Sequence, residues 1–264
     1  IRDTSVTGVQ TCALPIFNSY IILKNYFMLL RHGSDPTKDV QIPLGLGQNN
    51  GVSVKRDAMG LSFAVGLYGS AFGAAAVANH FSVAQACFLS LVLFSGASQF
   101  AVVGVIGAGG SALNAIGTGG LLGIRNSLYS LRLKSILQLR GLRRIVGSQL
   151  TIDESTGIAL AQESKSNSIT GFWYTGIGVY FWWNLFTLIG ALGAQSIGNP
   201  SQWGLDSAVP AAFLALVWPR LKDRNSWVLA GAATALSLIL TPIFPAGLPI
   251  ISCALLALIF GWRI

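Results

Sequence analysis

The chain has 264 residues, 52% of them hydrophobic and only 10% charged, with 31 glycines and a mean hydropathy of +0.61. Soluble domains carry about 25% charged residues, so this composition excludes a soluble enzyme, a disordered chain and a nucleic-acid binder. The net charge of +8 reads in an apolar chain as cation-rich cytoplasmic loops, not as a nucleic-acid surface.

Cys12, Cys87, Cys253, His32 and His80 are scattered along the chain. That supports neither a disulfide framework nor a metal site, and no cofactor is expected. The expected fold class is all-α: a polytopic integral membrane protein with about six full transmembrane helices plus one or two broken or re-entrant Gly-rich segments.

The N-terminus stands apart. Val6 to Ile16 reads VTGVQTCALPI, which resembles the translation of a sequencing adapter. Phe17 to Leu30 is apolar but short of the ~20 residues that span a bilayer, and it has no small-residue cleavage site. Arg31 to Gly51 carries turn chemistry without periodicity. Residues 1–51 are therefore expected to be an extension foreign to the fold, and residues 52–264 a single transmembrane transporter domain.

From Lys55 onward, apolar stretches alternate with cationic loops. Ala58 to Ala78 and Ser82 to Ile106 read as the first two spans. Gly107 to Gly123 holds seven glycines and is expected to be a poor straight helix that enters and leaves by one side. Ile169 to Ile197 is a long aromatic span; Leu205 to Pro219, Trp227 to Ile243 and Leu248 to Trp262 follow. With Gly107 to Gly123 re-entrant, all the cation clusters fall on one side, which is the cytoplasmic one. These are Lys55 and Arg56, the run from Arg125 to Arg144, Lys165, the group at Arg220, Lys222 and Arg224, and Arg263. Five tryptophans sit at span ends. Trp182 and Trp183 lie mid-span, where they either pack against helices and lipid or line a cavity.

Polar side chains inside a bilayer are costly, so those present are candidates for function. Ser95-Gly96-Ala97-Ser98-Gln99 offers small residues and one amide, suited either to a packing seam or to a substrate contact at an unwound helix. Gly123-Ile124-Arg125-Asn126 puts a guanidinium at the end of a glycine-rich run. There it either snorkels to the interface or holds a carboxylate. Thr151-Ile152-Asp153-Glu154 fits a capping box and opens a half-helix with two carboxylates at its positive end. Asp206 precedes a short span containing Pro210, either as a solvated residue at the outer mouth or as a further functional acid. No nucleophile elbow, zinc-protease or phosphate-loop sequence appears, and an enzyme is not expected.

FSGASQFAVVGVIGAGGS, GIRNSLYSLRL, LTIDESTGIAL and GLDSAVPAAFLALVWP stand in this order. Together they resemble the AzlC-type branched-chain amino acid export permeases over about Val54 to Arg263. Ile124 stands where that family commonly has Leu. The resemblance implies secondary export of branched-chain and other apolar amino acids. It also implies a prokaryotic plasma (inner) membrane location and a small AzlD-type membrane subunit as partner.

On that footing the expected substrate-binding residues are Ser95, Gly96, Ser98, Gln99, Arg125 and Asn126. The expected proton-coupling acids are Asp153, Glu154 and Asp206, since burial favours a carboxylate that can take up a proton. Two rival readings stay open: an uncoupled small-solute channel, and a membrane assembly subunit whose polar clusters only pack helices.

Overall fold

A computed structural model describes residues 51–196, 218, 221, 224–245 and 248–262, and all regular structure among them is helical. The extension at residues 1–50 and Asp206 lie outside the described residues, as do Arg220, Lys222 and Arg263.

The first helix, α1 (Gly51–Gly66), continues through Leu67 into α2 (Tyr68–Ala78), giving an uninterrupted apolar rod over Val52–Ala78. The longest helix is α8 (Lys165–Ser196). These two rods are long and apolar enough to cross a membrane. They run parallel: Val54 lies against Gly171, the Ser62 hydroxyl reaches the Thr175 carbonyl at 3.2 Å, and Gly73 meets Thr187 and Ala191. A side chain at Gly73 would collide with the α8 backbone, so the close crossing depends on small residues.

Between the rods the chain makes two hairpins. The first is α3 (Val83–Val92), the extended link Leu93-Phe94-Ser95, and α4 (Gly96–Gly107). Ser82 and Gln85 form a capping box that starts α3. Ser90 contacts Thr187, Phe94 packs edge-on against Tyr180 at 4.9 Å, and Gly107 returns to Asn79. The hairpin thus leaves the Asn79 end of the rods, reaches the level of Tyr180, and comes back.

From there α5 (Ala112–Leu137) runs the full length in the other direction, antiparallel to α4, with Gly119 on Val102 and Gly123 facing Ser98. It closes on Gln138, whose φ of 48° is the left-handed conformation typical of a helix end.

The second hairpin is α6 (Leu142–Gln149), the link Leu150-Thr151-Ile152, and α7 (Asp153–Leu160). Leu150 touches Gly176, Ile158 touches Gly171, and the chain then enters α8 at Lys165. This hairpin leaves the opposite end of the rods and folds back to it. Residues 83–137 and 142–196 therefore repeat one plan in reverse orientation: a broken hairpin, then a long helix. Finally, α9 (Arg224–Leu240) and α10 (Leu248–Trp262) pack on each other, and Leu229, Ala233 and Cys253 bury Val105 and Ala115.

Three expectations are corrected here. Gly107 to Gly123 is not a re-entrant piece. After a turn at Gly109, where φ is 81°, it becomes the first half of the continuous helix α5. Glycine costs about 1 kcal/mol per residue in a helix, and close packing on α4 offsets that. Ser82 to Ile106 is not a straight span; it is the first hairpin. The capping box at Thr151 does not form. Ile152 is the N-cap, and its N–H is held by the Ser155 hydroxyl at 3.1 Å. Among the described residues Lys55, Arg56, the Arg132–Arg144 group and Lys165 share one end of the rods, whereas Arg125 lies well inside α5 and Arg224 opens α9, whose Leu229 and Ala233 pack with Val105 and Ala115 toward the other end.

Candidate functional site

The two links meet halfway along α8. A helix end leaves up to four carbonyls without partners, and at the end of α3 they are satisfied by side chains from elsewhere. Gln99 donates to the Leu93 carbonyl at 2.6 Å and to that of Ser90 at 3.4 Å. Gln149, the last residue of α6, donates to Leu91 and Val92 at 3.1 Å each, and the Tyr180 hydroxyl donates to Leu91 at 3.1 Å. The first link is thus held open by donors from its own hairpin, from the other hairpin and from α8. At the second link the Ser155 hydroxyl donates to the Leu150 carbonyl at 2.6 Å, and Thr151 donates to Gly147 at 2.7 Å.

One face of α8 serves both links. Gly176, Tyr180, Trp183 and Thr187 are spaced at i, i+4, i+7 and i+11, so they share a stripe. Gly176 receives Leu150, and the Trp183 ring lies under Gly96. The Trp183 indole donates to Gln99 Oε1 at 2.9 Å, and its ring stacks near Phe72. Trp182 faces elsewhere, into Phe63 and Phe186. Of the two mid-span tryptophans, only Trp183 reaches the site.

The long helix of the first repeat makes the matching contact with the second hairpin. Arg125, 9% exposed, places Nη1 3.2 Å from Asp153 Oδ2, whose side chain is 22% exposed. Each long helix therefore ties the hairpin of the other repeat, α8 through an indole and α5 through a guanidinium. Glu154 and Tyr129 also lie within electrostatic range of Arg125.

Of the residues singled out from the sequence, Ser95, Gly96, Ser98 and Gln99 gather at the first link; Arg125, Asp153 and Glu154 gather at the second, while Asn126, next to Arg125 in α5, points about 100° round the helix from it. Gln99 is engaged at both ends of its amide, an arrangement that favours its packing reading. Ser98 donates to Ser95 at 3.2 Å. Sequence reasoning missed Gln149 and Tyr180, which no local pattern marks. It also missed Thr118, and it marked Thr156 only as a hydroxyl next to Asp153 and Glu154. Their hydroxyls are buried without a hydrogen-bond partner, as are Arg125 Nε and Asn126 Oδ1. The signal available for them was their helical spacing from Arg125 and Asp153. No group of three or more His, Cys, Asp or Glu side chains that would hold a metal occurs among the described residues.

The family profile described as AzlC protein matches residues 60–197, the stretch that contains both hairpins and most of both rods. The chain is 31% identical over 195 residues to an uncharacterized membrane protein of Archaeoglobus fulgidus, covering 72% of this chain and 85% of that one. It is 28% identical over 185 residues to the inner membrane protein YgaZ of Escherichia coli, covering 66% and 76% respectively. No solved structure matches.

Proposed function

The chain belongs to the AzlC family of membrane proteins, and from that membership we propose that it is a secondary exporter of branched-chain and other apolar amino acids. The observation that carries this reading is the meeting of two broken hairpins, entering from opposite ends, at one buried charged site. Discontinuous helices in an inverted repeat are a transporter's means of exposing one site to two sides in turn. Half-helices such as α3 and α4 reach about 15–18 Å at 1.5 Å per residue, half of a bilayer core of about 30 Å.

In this reading the protein is a multi-pass component of a prokaryotic plasma membrane. The Lys55, Arg132–Arg144 and Lys165 end faces the cytoplasm. The amino acid sits between the links at Ser95, Gly96, Ser98, Gln99, Arg125 and Asn126, with Phe94 and Trp183 beside its apolar side chain. An inward proton drives it outward, carried by one of the acids Asp153, Glu154 or Asp206. A small AzlD-type subunit works alongside it.

The test is counterflow. Proteoliposomes holding the protein and its genomic neighbour, preloaded with leucine, should accumulate labelled leucine. A scaffold shows no exchange. An uncoupled channel shows flux that ignores an imposed pH gradient, whereas the exporter responds to it.

A further inference from the structure

Arg125 is a buried charge whose ion pair is incomplete. Its guanidinium meets Asp153 through Nη1, with Glu154 and Tyr129 in electrostatic range, while Nε is buried with no acceptor. A structural ion pair in a protein interior normally gains its geometry from a bidentate fork and further hydrogen bonds. Around this pair the hydrogen-bonding capacity is left over instead. Thr156, one turn beyond Asp153 on the same face of α7, is 4% exposed and its hydroxyl has no partner. Burying such an orphan is unfavourable, because the group loses its water without gaining a partner. Unused hydrogen-bonding capacity therefore lies beside an incomplete ion pair at the start of a half-helix, where the backbone end adds positive character.

Resting on the transport reading above, we propose that the Arg125–Asp153 pair is the ligand-free form of the binding site. The two residues trade each other for the two charges of a zwitterion. The ligand's carboxylate takes Arg125, including Nε, with the Thr156 hydroxyl as a further donor. Its ammonium takes Asp153.

Charge balance fixes the class of ligand. A simple anion satisfies the guanidinium and strands the carboxylate; a simple cation does the reverse. A solute with both charged groups on one carbon leaves Arg125 and Asp153 each with a counter-charge. Arg125 and Asp153 are then the specificity-determining residues, and proton carriage falls to Glu154 or Asp206.

The experiment is competition against leucine counterflow in proteoliposomes, using 4-methylpentanoate (leucine without its amine) and 3-methylbutylamine (leucine without its carboxylate). Unlabelled leucine competes, and each analogue is weaker by a factor of at least 100. An Arg125→Gln/Asp153→Asn double variant removes both charges of the pair together. It reaches normal yield with a normal elution profile, and its half-saturating leucine concentration rises by at least 100-fold.

Absence of any leucine counterflow in the unaltered protein overturns the transport reading itself. If counterflow is present but either analogue competes as well as leucine, or the double variant keeps the original half-saturation, the exchange is wrong and the pair is a structural tie. The analogue arm reads the unaltered protein, so it decides the matter even if the variant does not fold.

Discussion

The two hairpins share a plan and differ in chemistry. The first, residues 83–107, holds its link open with neutral groups: the Gln99 amide, the Trp183 indole, the Tyr180 hydroxyl and the Gln149 amide, all hydrogen-bonded. The second, residues 142–160, uses hydroxyls for its backbone and an ion pair for its tie, and leaves buried polar atoms beside it unsatisfied. A fully satisfied neutral network rigidifies what it joins. A charged, partly satisfied one has hydrogen-bonding capacity left for water or a ligand. On the proposed reading, the first hairpin supplies the framework and the wall beside the ligand's apolar side chain, and the second meets the ligand's charges.

The largest effect should come from Asp153→Ala, which strands Arg125 inside the protein. A loss of about 3 kcal/mol is expected from breaking one partner of a buried pair, read as a drop in the unfolding midpoint in detergent. Unchanged stability would mean that water reaches the guanidinium freely and that the second site is not buried in solution.

Gln99→Leu comes next. It leaves the Ser90 and Leu93 carbonyls and the Trp183 N–H without their partner, at a cost of about 2–3 kcal/mol. The expected outcome is lower stability and weaker export together, since the framework itself suffers. Trp183→Phe removes one donor and keeps most of the ring. About 1 kcal/mol should be lost, with leucine half-saturation little changed because most of the ring beside the ligand is kept; a large rise would mean that the indole N–H itself serves the ligand.

The smallest effect on stability belongs to Glu154→Gln. A partly exposed carboxylate in the first turn of a helix contributes about 0.3–1 kcal/mol, so folded yield should stay normal. If Glu154 carries the proton, pH-driven export falls away while leucine–leucine exchange persists. Export at the unaltered rate would pass that role to Asp206.

The sequence showed where the polar residues stand and missed how they are arranged. Arg125, Gln99 and Asp153 stood out because each interrupts an apolar run, and the half-helix opening at Asp153 was legible from its acids. The break at Leu93-Phe94-Ser95 was not, because nothing local demands it. The carbonyls it exposes are answered by Gln149 and Tyr180, both more than 50 positions away in the chain. The glycines of residues 107–123 misled for the complementary reason. Low helix propensity read as a break, whereas Gly119 and Gly123 lie inside a helix and let Val102 and Ser98 approach. Likewise Thr151 and Glu154 match a capping box in spacing, but the chain bends one residue later and Ser155 takes the task.

The central claim is that the hairpins enter from opposite sides, and site-directed thiol labelling tests it most directly. In a background lacking Cys12, Cys87 and Cys253, single cysteines replace His80 and Ala108 at the base of the first hairpin, and Gln138 and Ser164 at the base of the second; all four positions are exposed. A membrane-impermeant maleimide added to intact cells should label His80→Cys and Ala108→Cys. Gln138→Cys and Ser164→Cys should react only after permeabilisation, in keeping with the cations around them. Labelling of Ala108→Cys and Gln138→Cys from the same side would contradict the inverted arrangement and the alternating site built on it.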